Sequence, residues 1–129
     1  MSSNITQFKK LTKSSLLTAT LLVEKMLAGE CSIEDFVSKY DNFYYYEALD
    51  GHEANAEQLQ VLEVFRDAID FHEEIQTKVV DLIYLGGKDN MQKYLNAGRI
   101  NKKIVEKRIK ELSEKYNIST LISKIRNTD

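Results

Sequence analysis

Apolar residues recur every three to four positions over most of this chain, the spacing that puts them on one side of an α-helix. Ile33, Phe36, Val37, Tyr40, Phe43 and Tyr44 form one such stripe. Val61, Phe65, Ala68, Ile75, Val79 and Ile83 form a second, broader one, with Leu62 and Ile69 at its edge, and Ile104, Val105, Ile109 and Leu112 form a third. The breaks between stripes carry helix-ending and helix-starting chemistry. Gly29 in "LAGE" is placed to take a left-handed cap, and Ser32 in "SIED" opens a capping box, its hydroxyl accepting a backbone N–H while Asp35 reaches back. Gly51 closes the next helix, Asn55 caps a long run to Tyr84, and Gly86-Gly87 stops it. Shorter helices are expected from Asp89 to Ala97, ended by Gly98, and from Asn101 to about Tyr116, with "NISTLISKIRNTD" adding a frayed turn or more. The pattern predicts an all-α fold: one domain over residues 1–129, an antiparallel helical bundle of about four to five helices.

Composition agrees with helices joined by short connections. The chain of 129 residues has no proline, five glycines, 43% hydrophobic and 29% charged residues, enough for one compact core. A single cysteine, Cys31, has no partner for an intramolecular disulfide, which suits a reducing, cytoplasmic home. Lysines precede an apolar stretch near the N-terminus, but Glu24 and Lys25 interrupt it as the helical pattern continues, so a signal peptide is not expected. No segment reaches the ~18 apolar residues of a membrane span, and no membrane partner is expected.

Net charge is only −2, yet it is unevenly distributed. From Asp41 to Glu74 ten acidic residues face Arg66 alone, a balance of −9, whereas eleven Lys or Arg and four Asp or Glu between Lys88 and Arg126 give +7. On the wheel of the Asn55–Tyr84 run, Glu63, Asp67, Asp70, Glu74 and Asp81 line up opposite the apolar side. Glu63 with Asp67, and Asp70 with Glu74, are like charges at i, i+4, each costing a few tenths of a kcal/mol. Such a ridge suits a positively charged partner; the other reading is that the basic C-terminal helices cover it. In "YDNFYYYEALDGHE", Tyr45 and Tyr46 project roughly 120–140° from the inner stripe, and Glu47 returns to it. Two exposed tyrosines are good interface anchors, or one packs beneath a neighbouring loop or helix.

Catalytic chemistry is poorly represented. There is no metal-binding H-E-x-x-H, no Gly-rich phosphate loop and no nucleophile elbow, so no catalytic residue, metal or cofactor is assigned and an enzyme is not expected. His72, in the middle of the second apolar stripe, reads as a core histidine hydrogen-bonded to a buried carboxylate or a tyrosine hydroxyl, with Glu47 as one candidate. A metal site through His52, His72 and Glu47 is the competing reading, although neither histidine sits in the Glu-x-x-His spacing of di-metal bundles. The basic run "GRINKKIVEKRIKELSEKY" has Glu106, Glu111 and Glu114 among its lysines, the signature of a solvated amphipathic helix more than of a nucleic-acid footprint. Direct nucleic-acid binding is not expected.

"LLVEKMLAGECSIEDFVSKY", Leu21 to Tyr40, resembles the first helical hairpin of the colicin D-type immunity proteins: an apolar helix, a glycine break, a serine cap, then an acidic residue and Phe. The wider group is the helical immunity proteins of bacteriocins and contact-dependent growth inhibition toxins. The resemblance implies a small cytoplasmic protein that binds a cognate toxin domain with a basic surface, often a tRNA nuclease, and blocks it without turnover. The residues expected to contact that toxin are Tyr45 and Tyr46 as anchors and Asp50, Glu53, Glu63, Asp67, Asp70 and Glu74 as the charge complement. A helical regulatory or scaffold domain that binds a basic protein other than a toxin is the alternative.

Overall fold

The computed structural model describes residues 2–40 and 54–128. These residues form an all-α structure of seven α-helices: α1 (Ser2–Leu27), α2 (Ile33–Tyr40), α3 (Ala56–Val64), α4 (Arg66–Ile75), α5 (Met91–Asn96), α6 (Lys102–Tyr116) and α7 (Ile118–Asn127). A π-helical turn, Gln76–Val80, extends α4, and a 3₁₀ turn, Lys88–Asn90, leads into α5.

The expected count of four to five helices is too low, for two local reasons. The run from Asn55 is interrupted at Phe65, whose backbone (φ −101°, ψ 19°) leaves the helical region, so α3 and α4 are separate elements. The expected frayed tail is a ten-residue helix, split from α6 by Asn117 in the left-handed conformation (φ 55°). The same Asn117 side chain accepts the Thr120 N–H at 3.3 Å and so caps the start of α7. The run also stops short of Tyr84: Asp81 N–H bonds back to Gln76 at 2.9 Å, and Ile83 then makes an isolated parallel bridge to Ile100.

The local caps follow the residues that predicted them. Gly29 has φ +75°, and the Glu30 and Gly29 N–H groups return to the carbonyls of Lys25 and Met26, the double bond of a Schellman ending. Ser32 Oγ accepts the Asp35 N–H at 3.0 Å. Asn55 and Gln58 exchange both bonds of a capping box at 2.9 and 3.0 Å.

α1 is the hub of the packing, touching α2, α3, α4, α6 and α7. Its buried positions, Thr12, Leu16, Ala19, Thr20, Val23 and Met26, recur at helical spacing. They join buried residues of α2, α3, α4, α6 and α7 in one hydrophobic cluster. Leu62 and Ile69, expected at the edge of their stripe, are each 3% exposed and belong to that core, because α1 packs on both α3 and α4 and α7 packs on α4. The Lys13 ammonium completes the end of α7, donating to the carbonyls of Arg126 (3.1 Å) and Thr128 (2.6 Å), where the helix dipole favours a cation.

Candidate functional site

Along the outer side of α3 and α4 the carboxylates predicted to form a ridge do lie on exposed or half-buried positions, but the fold treats them unequally. Glu63 is exposed and pairs with Arg66 one turn on, at 2.6 Å. Asp67 is exposed and receives Lys124 of α7 at 3.2 Å. Asp70 is half-buried, Glu73 beside it is exposed, and neither makes an ion pair within the distance of a salt bridge among the described residues. Glu74 is drawn inward: Lys78 approaches it at 2.5 Å, Lys115 of α6 at 3.1 Å, and the Tyr116 hydroxyl donates to the same carboxylate.

These differences decide which carboxylates are available to a partner. Partial desolvation pushes the Glu74 carboxyl up, but the hydrogen bonds from Lys78, Tyr116 and Lys115 outweigh it and hold the group down at about 2. Partial burial and the bond to Glu74 raise the Tyr116 hydroxyl in turn. Tyr116 also sets its ring edge-on to Phe71, centroids 5.5 Å apart, so the Glu74 cluster is a joint between α4 and α6. Asp67 with Lys124, by contrast, is an exposed pair of the kind worth about 0–1 kcal/mol. The basic C-terminal helices therefore cover the ridge at Glu74 firmly, at Asp67 loosely, and leave Asp70 and Glu73 open. Tyr45, Tyr46, Asp50 and Glu53, with Glu47 and His52, lie outside the described residues.

A groove of about 670 Å³ runs beside the ridge between the α3–α4 break and α7; Val64, Phe65 and Ala68 line one wall and Leu121 and Ile125 the other. Val64 is 58% exposed, and Leu59, five residues earlier and about 140° round α3, is 48% exposed, so apolar surface flanks the carboxylates of that helix.

His72 is wholly buried where α1, α2 and α4 meet. The Thr20 hydroxyl donates to Leu16 O at 2.7 Å, which leaves its oxygen to accept from His72 Nε2 at 2.8 Å. His72 Nδ1 must then be the unprotonated nitrogen and accepts from the Tyr40 hydroxyl at 2.6 Å. Burial lowers the imidazole to about 3, so it is neutral, and burial raises the Tyr40 phenol. This is the core histidine with a tyrosine hydroxyl partner: both ring nitrogens are engaged and the ring is buried, while His52 and Glu47, the other members of the metal reading, lie outside the described residues. Among the described residues no group of three or more His, Cys, Asp or Glu is arranged to hold a metal ion.

Sequence reasoning missed the partners Lys124, Lys115 and Tyr116, and it passed over Phe71, which is fully buried. The opposed charge of the two segments was the only signal for the two lysines. Comparison with protein-family models, with curated proteins and with solved structures gives no match. Among the described residues, no helix is long and apolar enough to cross a membrane.

Proposed function

We propose that this chain is an immunity-type binding protein that neutralises a cognate toxin, a basic RNA or tRNA nuclease domain, by covering its active-site cleft in the cytoplasm. The observation that carries this reading is the outer side of α3 and α4. There Glu63, Asp67, Asp70 and Glu73 stand among the exposed apolar side chains Leu59 and Val64. Carboxylates around apolar contacts complement a cationic cleft built to hold RNA, and their long-range field speeds association. Tyr45 and Tyr46 are assigned as anchors, with Asp50 and Glu53 extending the charge. Asp70 and Glu73 carry the described part of the contact, Glu63 and Asp67 join by releasing weak surface pairs, and Glu74 supports the surface from below.

The test is capture of the tagged protein from its own cells at low and high salt, with mass spectrometry of what is retained. The expected result is a stoichiometric basic domain that arrests growth when expressed alone and is silenced by co-expression of this chain. Reversing Asp70→Lys and Glu73→Lys together is expected to weaken the complex by about tenfold or more. A retained basic protein without toxicity would support the regulatory or scaffold alternative, and unchanged affinity after both reversals would remove this side from the contact.

A further inference from the structure

Between Tyr84 and Arg99 the chain leaves the body of the protein and returns to the same point. Tyr84 N–H bonds to Ile100 O at 2.8 Å and Ile100 N–H to Leu82 O at 2.9 Å, while the Arg99 guanidinium donates to the carbonyls of Asp81 and Ile83 at 3.2 and 3.3 Å. No side chain from residue 84 to residue 99 is buried. Yet this lobe is built: Gly98 (φ +94°) ends α5 with Arg99 N–H returning to Tyr94 O at 2.9 Å. The Tyr84 hydroxyl donates to Gly87 O at 2.6 Å, with the ring so close over Gly86 that a Cβ there would sit 2.5 Å from the hydroxyl oxygen. Tyr94 stacks on Tyr84 with centroids 4.7 Å apart and planes at 20°. Ordering a segment costs roughly 1–2 kcal/mol per residue, and here only the partial burial of Tyr84, Met91 and Leu95 offsets it. Its exposed side chains include Tyr94 and Leu85, 40% and 41% exposed, and Lys88, Asp89 and Lys93.

Among the described residues the large exposed apolar side chains are Leu11, Leu27, Leu59, Val64, Leu85 and Tyr94. Four of these six fall in two patches of opposite charge: Leu85 and Tyr94 on the lobe, where Lys88 and Lys93 outnumber Asp89, and Leu59 and Val64 on the α3 shoulder, where Glu57 accompanies the Glu63–Arg66 pair. The two patches flank α4 in the chain: the α3 shoulder precedes Arg66, and the lobe follows the π-helical turn Gln76–Val80. A lobe and a complementary shoulder on the same chain allow two copies to clasp each other reciprocally. The two equivalent contacts of such a pair double the buried area, toward the ~1,200–2,000 Å² of stable interfaces. We infer that the lobe of residues 84–99 docks on the α3 shoulder of a second copy of this chain, Tyr94 and Leu85 packing on Leu59 and Val64 while Lys88 and Lys93 face Glu57 and Glu63.

The shoulder is shared with the toxin contact proposed above, so the second copy and a toxin exclude each other there; sedimentation velocity of the isolated chain tests the pairing without any toxin, and its failure leaves the function proposed above untouched. The expected result is a mass rising from 14.9 kDa toward twice that value with concentration, less so at high salt. Variant Lys88→Glu/Lys93→Glu and variant Glu57→Lys/Glu63→Lys, all at exposed positions, should each self-associate about tenfold or more weakly. An equimolar mixture of the two should pair again, since each then offers the charge the other lacks. Tyr94→Ala should weaken pairing without altering far-UV circular dichroism. A wild-type chain that stays monomeric to near-millimolar concentration, or a mixture that fails to pair, overturns the inference. So does stoichiometric binding of a fluorescent single-stranded RNA oligomer to the lobe of a chain that does not self-associate.

Discussion

Acidification offers a direct test of the buried Thr20–His72–Tyr40 chain. In the fold His72 titrates at about 3, and in the unfolded chain near the ordinary 6.5. A folded value below the unfolded one means that the unfolded state binds the proton first. The contribution is therefore fully present above pH 6.5 and is lost as pH falls toward 3, at about 1.4 kcal/mol per unit through the window. Between pH 7.5 and pH 5.0 the loss integrates to about 2 kcal/mol, a large share of the 5–15 kcal/mol of a typical domain. Glu74, held at about 2, contributes almost nothing in this interval because carboxylates begin to protonate only below pH 5. Urea unfolding at fixed temperature, repeated from pH 7.5 to 5.0, reads the loss as a falling midpoint at constant slope. His72→Gln should flatten the profile. A wild-type midpoint that does not move over this range, or a slope that survives in His72→Gln, would refute a neutral, sealed imidazole.

Three further outcomes follow from the packing. Glu74→Gln should destabilise the protein by on the order of 1–3 kcal/mol, by weakening the bonds from Lys78, Lys115 and Tyr116. The gap to wild type should be full above about pH 4.5 and close as pH falls toward 2, because the folded carboxyl is depressed; urea midpoints at pH 6 and pH 3 check it. Gly29→Ala, at φ +75° with open space around it, should cost about 1–2 kcal/mol from left-handed strain alone, visible in thermal unfolding. Leu121→Ala should cost about 2–5 kcal/mol, showing that α7 is part of the core and not a frayed tail.

Those outcomes separate what was legible along the chain from what was not. Gly29, Ser32, Asn55 and Gly98 set helix boundaries that could be read directly, since a cap is settled by hydrogen bonds within about five residues. The buried faces of α3, α4 and α6 were equally readable, because periodicity alone places Val61, Phe65, Ile75, Val105 and Ile109 on one side of their helices. The left-handed Asn117 was harder: asparagine serves both as a C-terminal residue and as an N-cap, and here it does both.

The candidate site was legible as a charge imbalance and not as an arrangement. That Glu74 is locked by Lys115 and Tyr116, 41 and 42 residues away, follows from α6 lying along α4. That Asp67 meets Lys124, 57 residues away, follows from α7 closing against α4. His72 depended on tertiary structure in the same way: its neutrality comes from Thr20 on α1 and Tyr40 on α2 arriving together at its two nitrogens. The chain by itself determined that the fold is all-α, that Gly29, Ser32, Asn55 and Gly98 mark helix ends, and that acid and base are segregated. Tertiary structure decided which carboxylates remain open to a partner, because pairing depends on distances between helices that no local spacing encodes.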